Sequence, residues 1–377
     1  MLPISTEEPP NSDGNTHVIA MLENWLAHAK RGRMNYIAMV GAEGPFEINY
    51  GLAGALGMEF GINWGLDSLK KQLYEERASR MRPNDPSAPA DMACFNLLQM
   101  APSYDFMNWL AIAKMKMLKA GLPGPLKVAF FYGRIKDTWK DDDRRPGMLE
   151  NVCKPALKFV GAVEDDRAIT GKSYDQFLLR SVTEAAKEGW EIPEFRASAE
   201  ARAEVEAAHH GIPPIVITLR EAIHWPHRNS NIDEWLKFAR YLQGKGERII
   251  FVRDTAKADE SMPGYEFAIS PKAARDIDFR LALYESSKCS LFAANGPWNL
   301  AVFGKWPWLM FNEALPDDPF EFNRPEGWKL HNGIDVGEQF PWTRPDQRII
   351  WKPDTYANMR QAWDEFAPLL QRQERAA

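Results

Sequence analysis

The sequence predicts an α/β fold in which two doubly wound domains follow a small α+β module. Three observations carry that expectation. From residue 92 onward, short runs rich in β-branched and aromatic residues alternate with amphipathic helical stretches, the pattern of a parallel sheet with helices on both faces. The alternation runs twice, over 92–200 and over 211–350, with a polar helical stretch between. The chain has 377 residues, 45% hydrophobic and 26% charged, which suits more than one packed core.

The elements follow in order. Residues 1–15 are acidic and proline-rich and read as a loosely held tail. Over 16–81, HVIAMLENWLAHAKRG predicts a helix, MNYIAMVG and PFEINYGLAG a pair of strands, and FGINWGLDSLKKQLYEERASR a second helix. RPNDPSAPAD (82–91) reads as a linker. ACFNLLQM and PLKVAFFYG are strands around the helix DFMNWLAIAKMKMLKAG, Ser173–Lys187 is helical, and ASAEARAEVEAAHHG is a polar helix. The second half restarts with strand IPPIVITLRE, helix NIDEWLKFARYLQGKG and strand ERIIFVRDT. A helix within Ser270–Ser287, strand CSLFAAN, helix PWNLAVFGK and strand WPWLMF follow. After Phe311 the chain is aromatic and loop-rich, with Trp342 and Trp351 suited to packing or to lining a sugar site. Residues 351–377 hold a terminal helix begun by Asp354.

Composition excludes some functions. A net charge of −6 argues against a generally cationic nucleic-acid binder. Cys94, Cys153 and Cys289 are far apart and make no metal-type cluster, which fits a reduced compartment. No apolar run approaches the ~20 residues of a membrane span, and the N-terminus lacks the order of a signal peptide, so a cytoplasmic location is expected. The glycines of GLAGALG (51–57) match neither the dinucleotide fingerprint nor the P-loop and read as a strand end and turn. Asp141-Asp142-Asp143 lies in KDDDRRPG, an exposed and charge-balanced loop rather than a metal site.

Two strand-to-helix turns carry the chemistry. In TLREAIHWPHRNSN (218–231), a strand end is followed by two arginines, two histidines and a glutamate before Asn231 or Asp233 caps the next helix. Arg220 and Arg228 supply charge-assisted donors for phosphate, and Asn229 and Ser230 stand just before a helix N-terminus that favours an anion. A capped helix with solvated charges is the plainer alternative. In AANGPWNLAVFG (293–304), Asn295-Gly296-Pro297 ends a strand and starts a helix. Glycine there lets a ligand approach the backbone, and the N–H groups of Trp298 and Asn299 would face the same cleft.

With RLALYESSKCSLF between them, these turns make 211–311 resemble the nucleotide-sugar-binding domain of GT-B glycosyltransferases, particularly heptosyltransferase-like and fucosyltransferase-like members. The resemblance covers about a quarter of the chain. It implies two Rossmann-like domains, an acceptor side in 92–200 and a donor side in 211–350, with a C-terminal helix that crosses back onto the first domain. It implies a nucleotide-sugar co-substrate held by Arg220, Glu221, Arg228, Asn229, Ser230, Asn295, Gly296, Pro297, Trp298 and Asn299, with no other cofactor and no metal. QMAPSYDF (99–106) stands where heptosyltransferases carry a glycine-rich acceptor loop. The 16–81 module resembles one seen in phage and prophage proteins.

Such a transferase needs a base for the acceptor hydroxyl and donors for the leaving diphosphate. Asp105, just after the first strand, and His224, in the first loop, are the candidate bases, and N-capping of the 105–119 helix is the other use of Asp105. Glu221 is placed to orient an arginine or bind a ribose hydroxyl. His209-His210 reads as a solvated pair at a helix C-terminus. Residues 111–140 hold Lys114, Lys116, Lys119, Lys127, Arg134, Lys136 and Lys140 against Asp137 alone. This patch would serve a DNA acceptor such as modified phage DNA, or is simply a solvated lysine face. The expected function is therefore sugar transfer from a nucleotide donor to a hydroxyl acceptor on DNA or a glycan. The alternative is a non-catalytic binding or structural protein of the same fold.

Overall fold

The computed structural model describes residues 87–97, 100–131, 147–174, 179–209, 211–223, 226–319 and 321–374. The expected tail, the 16–81 module, residues 132–146 and His224 lie outside them.

The first domain is built on three parallel strands: β1 (Met92–Asn96), β2 (Leu126–Phe131) and β3 (Ala162–Glu164), in the order β1-β2-β3. Lys172 adds a parallel bridge on the far side of β1. Its approach needs Gly171, because a Cβ there would stand 2.6–2.7 Å from the backbone of Met92 and Ala93. Between β1 and β2 runs α1 (Phe106–Lys119), whose first two turns are buried on every side. It is covered by its own sheet on one side and by the second domain on another. Of the region expected as one helix from Ser173 to Lys187, the described residues include α2 (Arg180–Lys187), while Ser173 and Tyr174 are not helical. α3 (Ala199–His209) joins the domains and packs on a helix of the second.

The second domain has six parallel strands, β4 (Ile215–Thr218), β5 (Ile249–Val252), β6 (Ala268–Ile269), β7 (Cys289–Ala293), β8 (Trp308–Phe311) and β9 (Gln347–Ile350). Their order is β6-β5-β4-β7-β8-β9. β4, β5, β7 and β8 are buried along their whole length, which explains their near-continuous apolar sequences. The chain winds outward from β4 in one direction and then restarts at β7 in the other. The reversal between β4 and β7 is the topological switch point, where a crevice opens beyond the strand carboxyl ends. As expected, the ends of β4 and β7 are neighbours. The connecting helices are α4 (Ile232–Gly244), α5 (Pro271–Arg275), α6 (Ile277–Glu285) and α7 (Trp298–Ala301). α7 is four residues long rather than the nine of PWNLAVFGK, because the chain turns at once into β8.

The two domains share one continuous core. Phe95 and Trp109 of the first belong to the same buried cluster as Tyr284, Phe292 and Trp308 of the second. Phe195 in the connection packs at a tilt against Phe303 with centroids 4.8 Å apart. A polar staple reinforces the seam. Lys158 donates to Asp278 at 2.6 Å, and Ser198 donates to the same carboxylate through its backbone N and its hydroxyl, at 2.9 and 2.7 Å.

The end of the chain departs from expectation. α8 (Pro325–Asn332), not the terminal helix, reaches the first domain, where Thr183 and Lys187 donate to the carbonyls of Asn332 and Gly333 at 2.7 and 3.0 Å. The terminal helix α9 (Tyr356–Glu374) stays on the second domain. Its stripe Met359, Trp363, Phe366 and Leu370, spaced to share one helix face, is buried with Trp235, Leu236 and Leu242 of α4 in a second cluster.

Asp354 contributes to the same junction. The N-cap of α4 is Asn231, and its side chain makes no capping bond. The carboxylate of Asp354 takes the place of a cap, accepting from Asn231 N at 3.1 Å and from Trp235 Nε1 at 2.7 Å. The anion expected at this helix N-terminus is thus supplied by the chain itself. Asp354→Ala should cost about 1–3 kcal/mol of stability, since it strands an indole N–H and a helix-end N–H. A chemical-denaturation midpoint no lower than that of the wild type would contradict this role.

Candidate functional site

The site forms where the switch point of the second sheet meets the loop after β1. On the second domain, Asn295 bridges the two strand ends: its Nδ2 donates to Thr218 O at 3.1 Å, and its Oδ1 accepts from Trp298 N at 3.2 Å. The N–H groups of Trp298 and Asn299, expected to be free for a ligand, are taken up inside the turn. Trp298 N also donates to Asn295 O at 3.3 Å, and Asn299 N donates to Gly296 O at 3.0 Å. The Trp298 ring is buried against Trp308, Trp328 and Phe340 and has a packing role. Pro297 holds the helix start with φ −56°. What the turn presents to the first domain is the backbone of Gly296, one face of it against Tyr104, and the side-chain amide of Asn299.

The loop after β4 is closed by its own side chains. Asn229 Oδ1 accepts from Arg220 Nη1 at 2.9 Å and from Ala222 N at 3.0 Å, and its Nδ2 donates to Ala222 O at 2.9 Å. Ser230 Oγ accepts from Arg220 N at 2.8 Å. Asn229 and Ser230 therefore brace the loop that carries Arg220 and Arg228. Burial, and then the nearby Arg220 charge, push the Arg228 guanidinium down to about 10, against the opposing pull of Asp105 and Asp318. It keeps its charge at neutral pH and lies between a carboxylate of the first domain and one of the second.

Glu221 points elsewhere. Its carboxylate makes a two-pronged pair with Arg253 at the end of β5, at 2.5 and 2.9 Å, with Lys257 at 3.4 Å. Arg253 Nη1 also donates to the carbonyls of Glu260 and Ser261, both at 3.0 Å. Burial raises the Glu221 carboxyl, but Arg253 and then Lys257 outweigh it and hold it below the usual range. The partner of Glu221 is thus Arg253.

From the first domain come Ser103, Tyr104 and Asp105. Asp105 stands at the N-cap of α1, yet its side chain makes no capping bond. Its Oδ2 accepts from Ser103 Oγ at 3.0 Å, and its Oδ1 accepts from Asn299 Nδ2 at 3.1 Å, across the domain boundary. The residue keeps some accessible surface, but the carboxylate is crowded by protein atoms. That burial pushes it above the usual carboxylate range, against the pull of Ser103, Asn299 and Arg228. Cys153 supports the loop from below, with its Sγ 3.8 Å from Ser103 O. Tyr104 lies beside Gly296 and donates nothing to Arg280. Instead its hydroxyl accepts from Arg280 Nη1 at 2.6 Å. Tyr104 and Arg280 were not expected at the site, although an arginine inside the apolar run IDFRLALYE signals a buried charge in need of a partner.

The lysines of the 111–140 stretch that are described all meet groups of this chain. Lys127 pairs with Asp91 at 2.6 Å, Lys116 and Lys119 lie 4.5 and 5.4 Å from the Trp190 ring, and Lys114 reaches Met117 Sδ at 3.9 Å. Arg134, Lys136, Lys140, Asp137 and the Asp141–Asp143 triplet lie outside the described residues. His227 Nε2 is 3.7 Å from Asp318. All three cysteines are free thiols and buried. Among the described residues no cluster of three or more His, Cys, Asp or Glu side chains could hold a metal ion. No helix among them is long and apolar enough to cross a membrane.

Fold and site together define an α/β protein of two Rossmann-like parallel-sheet domains, with a cluster of polar side chains from both domains at the switch point of the second. No protein-family model matches the chain, and no curated protein matches it in sequence. Among solved structures it is similar to the ADP-heptose lipopolysaccharide heptosyltransferase II of Escherichia coli, at 12% identity and TM-score 0.38 over 81% of each chain. A glycosyl transferase family 9 structure from Veillonella parvula matches 74% of this chain and 97% of its own, at 11% identity and TM-score 0.40. The E. coli heptosyltransferase WaaC with ADP matches 74% of this chain and 100% of its own, at 11% identity and TM-score 0.40. At these scores the likeness assigns nothing to this chain, and its fold rests on the strand pairings.

Proposed function

We propose that the protein is a metal-independent glycosyltransferase of the GT-B type that moves a sugar from a nucleotide-sugar donor to a hydroxyl acceptor. One observation carries the reading. At the switch point, a crowded carboxylate from the first domain, Asp105, faces the arginine-bearing loop and the Asn295–Asn299 turn of the second. Arg228 and Arg220 are suited to the donor diphosphate, and the open backbone of Gly296 permits close approach. Asp105 is suited to take the acceptor proton as the acceptor oxygen bonds to the sugar's anomeric carbon. The bond from that carbon to the diphosphate breaks as the new bond forms, and the departing charge is met by the guanidinium groups. With two arginines on one loop, the leaving group can be stabilised without a metal ion.

The test is binding of nucleoside diphosphates. Arg220→Ala and Arg228→Ala should each weaken binding of ADP or UDP by about 1.5–3 kcal/mol, the scale of a charge-assisted hydrogen bond. Titration calorimetry on the folded variants measures this directly. Affinity unchanged in both would remove the loop from the donor site. A wild-type protein that binds nucleotide sugar but releases no nucleoside diphosphate to any hydroxyl acceptor would be a binding protein of this fold.

A further inference from the structure

The glycine that opens the second domain's turn is exposed on one face and meets the first domain on the other. A Cβ on Gly296 would stand 3.0, 3.1 and 3.2 Å from the Cδ2, Cβ and Cγ of Tyr104. That one face of the exposed glycine is therefore covered by a side chain of the first domain. That side chain is also gripped at its tip. Arg280, only 3% exposed, donates to its hydroxyl at 2.6 Å and lies 5.6 Å from its ring centroid. Tyr104 thus offers what a bound nucleotide would offer here: a flat ring against bare backbone, and an oxygen acceptor for a buried guanidinium.

We propose that Tyr104 is an internal occupant of part of the donor niche, one that leaves it when a nucleoside diphosphate binds. The proposal rests on the donor reading above and adds its regulation. Displacement frees the face of Gly296 and one N–H of Arg280 for the incoming nucleotide. It also acts on the neighbouring residue. Asp105 follows Tyr104 directly and is bonded to Asn299 on the same turn. Withdrawing the ring draws Asp105 off Asn299, so arrival of the donor releases the carboxylate for the acceptor. The shared core and the Lys158–Asp278–Ser198 staple keep the domains paired, so the change is confined to the loop.

An occupant that must leave lowers apparent affinity by the fraction of molecules already open. With an open state near 10% populated, Tyr104→Ala should tighten ADP or UDP binding about tenfold in titration calorimetry. A second measurement needs no variant. Nitration of Tyr104 by tetranitromethane, read by peptide mass spectrometry, should be slow in the free protein and accelerate when ADP or UDP saturates it. Equal or weaker affinity in Tyr104→Ala, or a ring that stays protected in the saturated wild type, overturns the occupant while leaving the donor site intact. Binding of neither nucleotide by either protein overturns the donor reading and the occupant with it.

Discussion

Asp105→Asn should lower turnover about 10²–10⁴-fold, the usual weight of general base catalysis, while the protein still binds nucleoside diphosphate. Asparagine keeps the shape and the Asn299 contact but cannot accept the acceptor's proton. Stability should move the other way. The folded protein holds the Asp105 proton more tightly than the unfolded chain does, since burial raises this carboxyl. Its contribution to stability is therefore full below the unfolded value of about 3.9 and is lost as pH rises through the raised folded value. At neutral pH the carboxylate is ionised at a cost that asparagine does not incur. Melting of Asp105→Asn at pH 7 should occur at or above the wild-type temperature, and the excess should shrink as pH is lowered. In the wild type, the acidic limb of the rate profile should lie above the ordinary carboxylate range. Turnover persisting in the variant would leave Asp105 a structural residue and move the base elsewhere.

How much of this was legible in sequence follows from what is local. The strands β4, β5, β7 and β8 are buried on both faces, so each announces itself as an apolar run. The two loops were legible because Asn, Gly, Pro and Arg cluster between such a run and a periodic helix. The short or edge strands were not. β3 is three residues, β6 is two, and β9 alternates buried and half-buried residues inside an aromatic tail. PWNLAVFGK read as a long helix because its apolar residues serve packing between layers, which mimics helical periodicity. The partners of the charged residues were the least legible. Arg253 with Glu221, Asp354 with α4, and Arg280 with Tyr104 join positions 32, 123 and 176 residues apart, and only tertiary structure pairs them. The sequence offered Glu221 to an arginine or a ribose hydroxyl and Asn231 as a cap of α4. Folding turned the first toward β5 and left the end of α4 to an aspartate of the C-terminal tail.

The second large effect expected is on stability, from Glu221→Ala. Glu221 and Arg253 are 4% and 3% exposed at the side chain, and each satisfies the other through two hydrogen bonds. Removing the carboxylate leaves a guanidinium under the surface with no counter-charge of that quality, because Glu260, at 3.6 Å, is 61% exposed. Breaking such a pair from one side costs about 3–5 kcal/mol. The lower end applies here, since the pair is covered but lies close beneath the surface with Lys257 half-exposed beside it. Glu221→Gln, which keeps one acceptor, should lose less. Replacing both partners by apolar residues should recover only part of the loss, because Arg253 also ties down the carbonyls of Glu260 and Ser261. Denaturant unfolding measures all three. The same variants separate structure from recognition. If Glu221 acts through Arg253 alone, folded Glu221→Ala should bind ADP or UDP as the wild type does. A loss of affinity at temperatures where the variant is fully folded would instead put its carboxylate on the ligand.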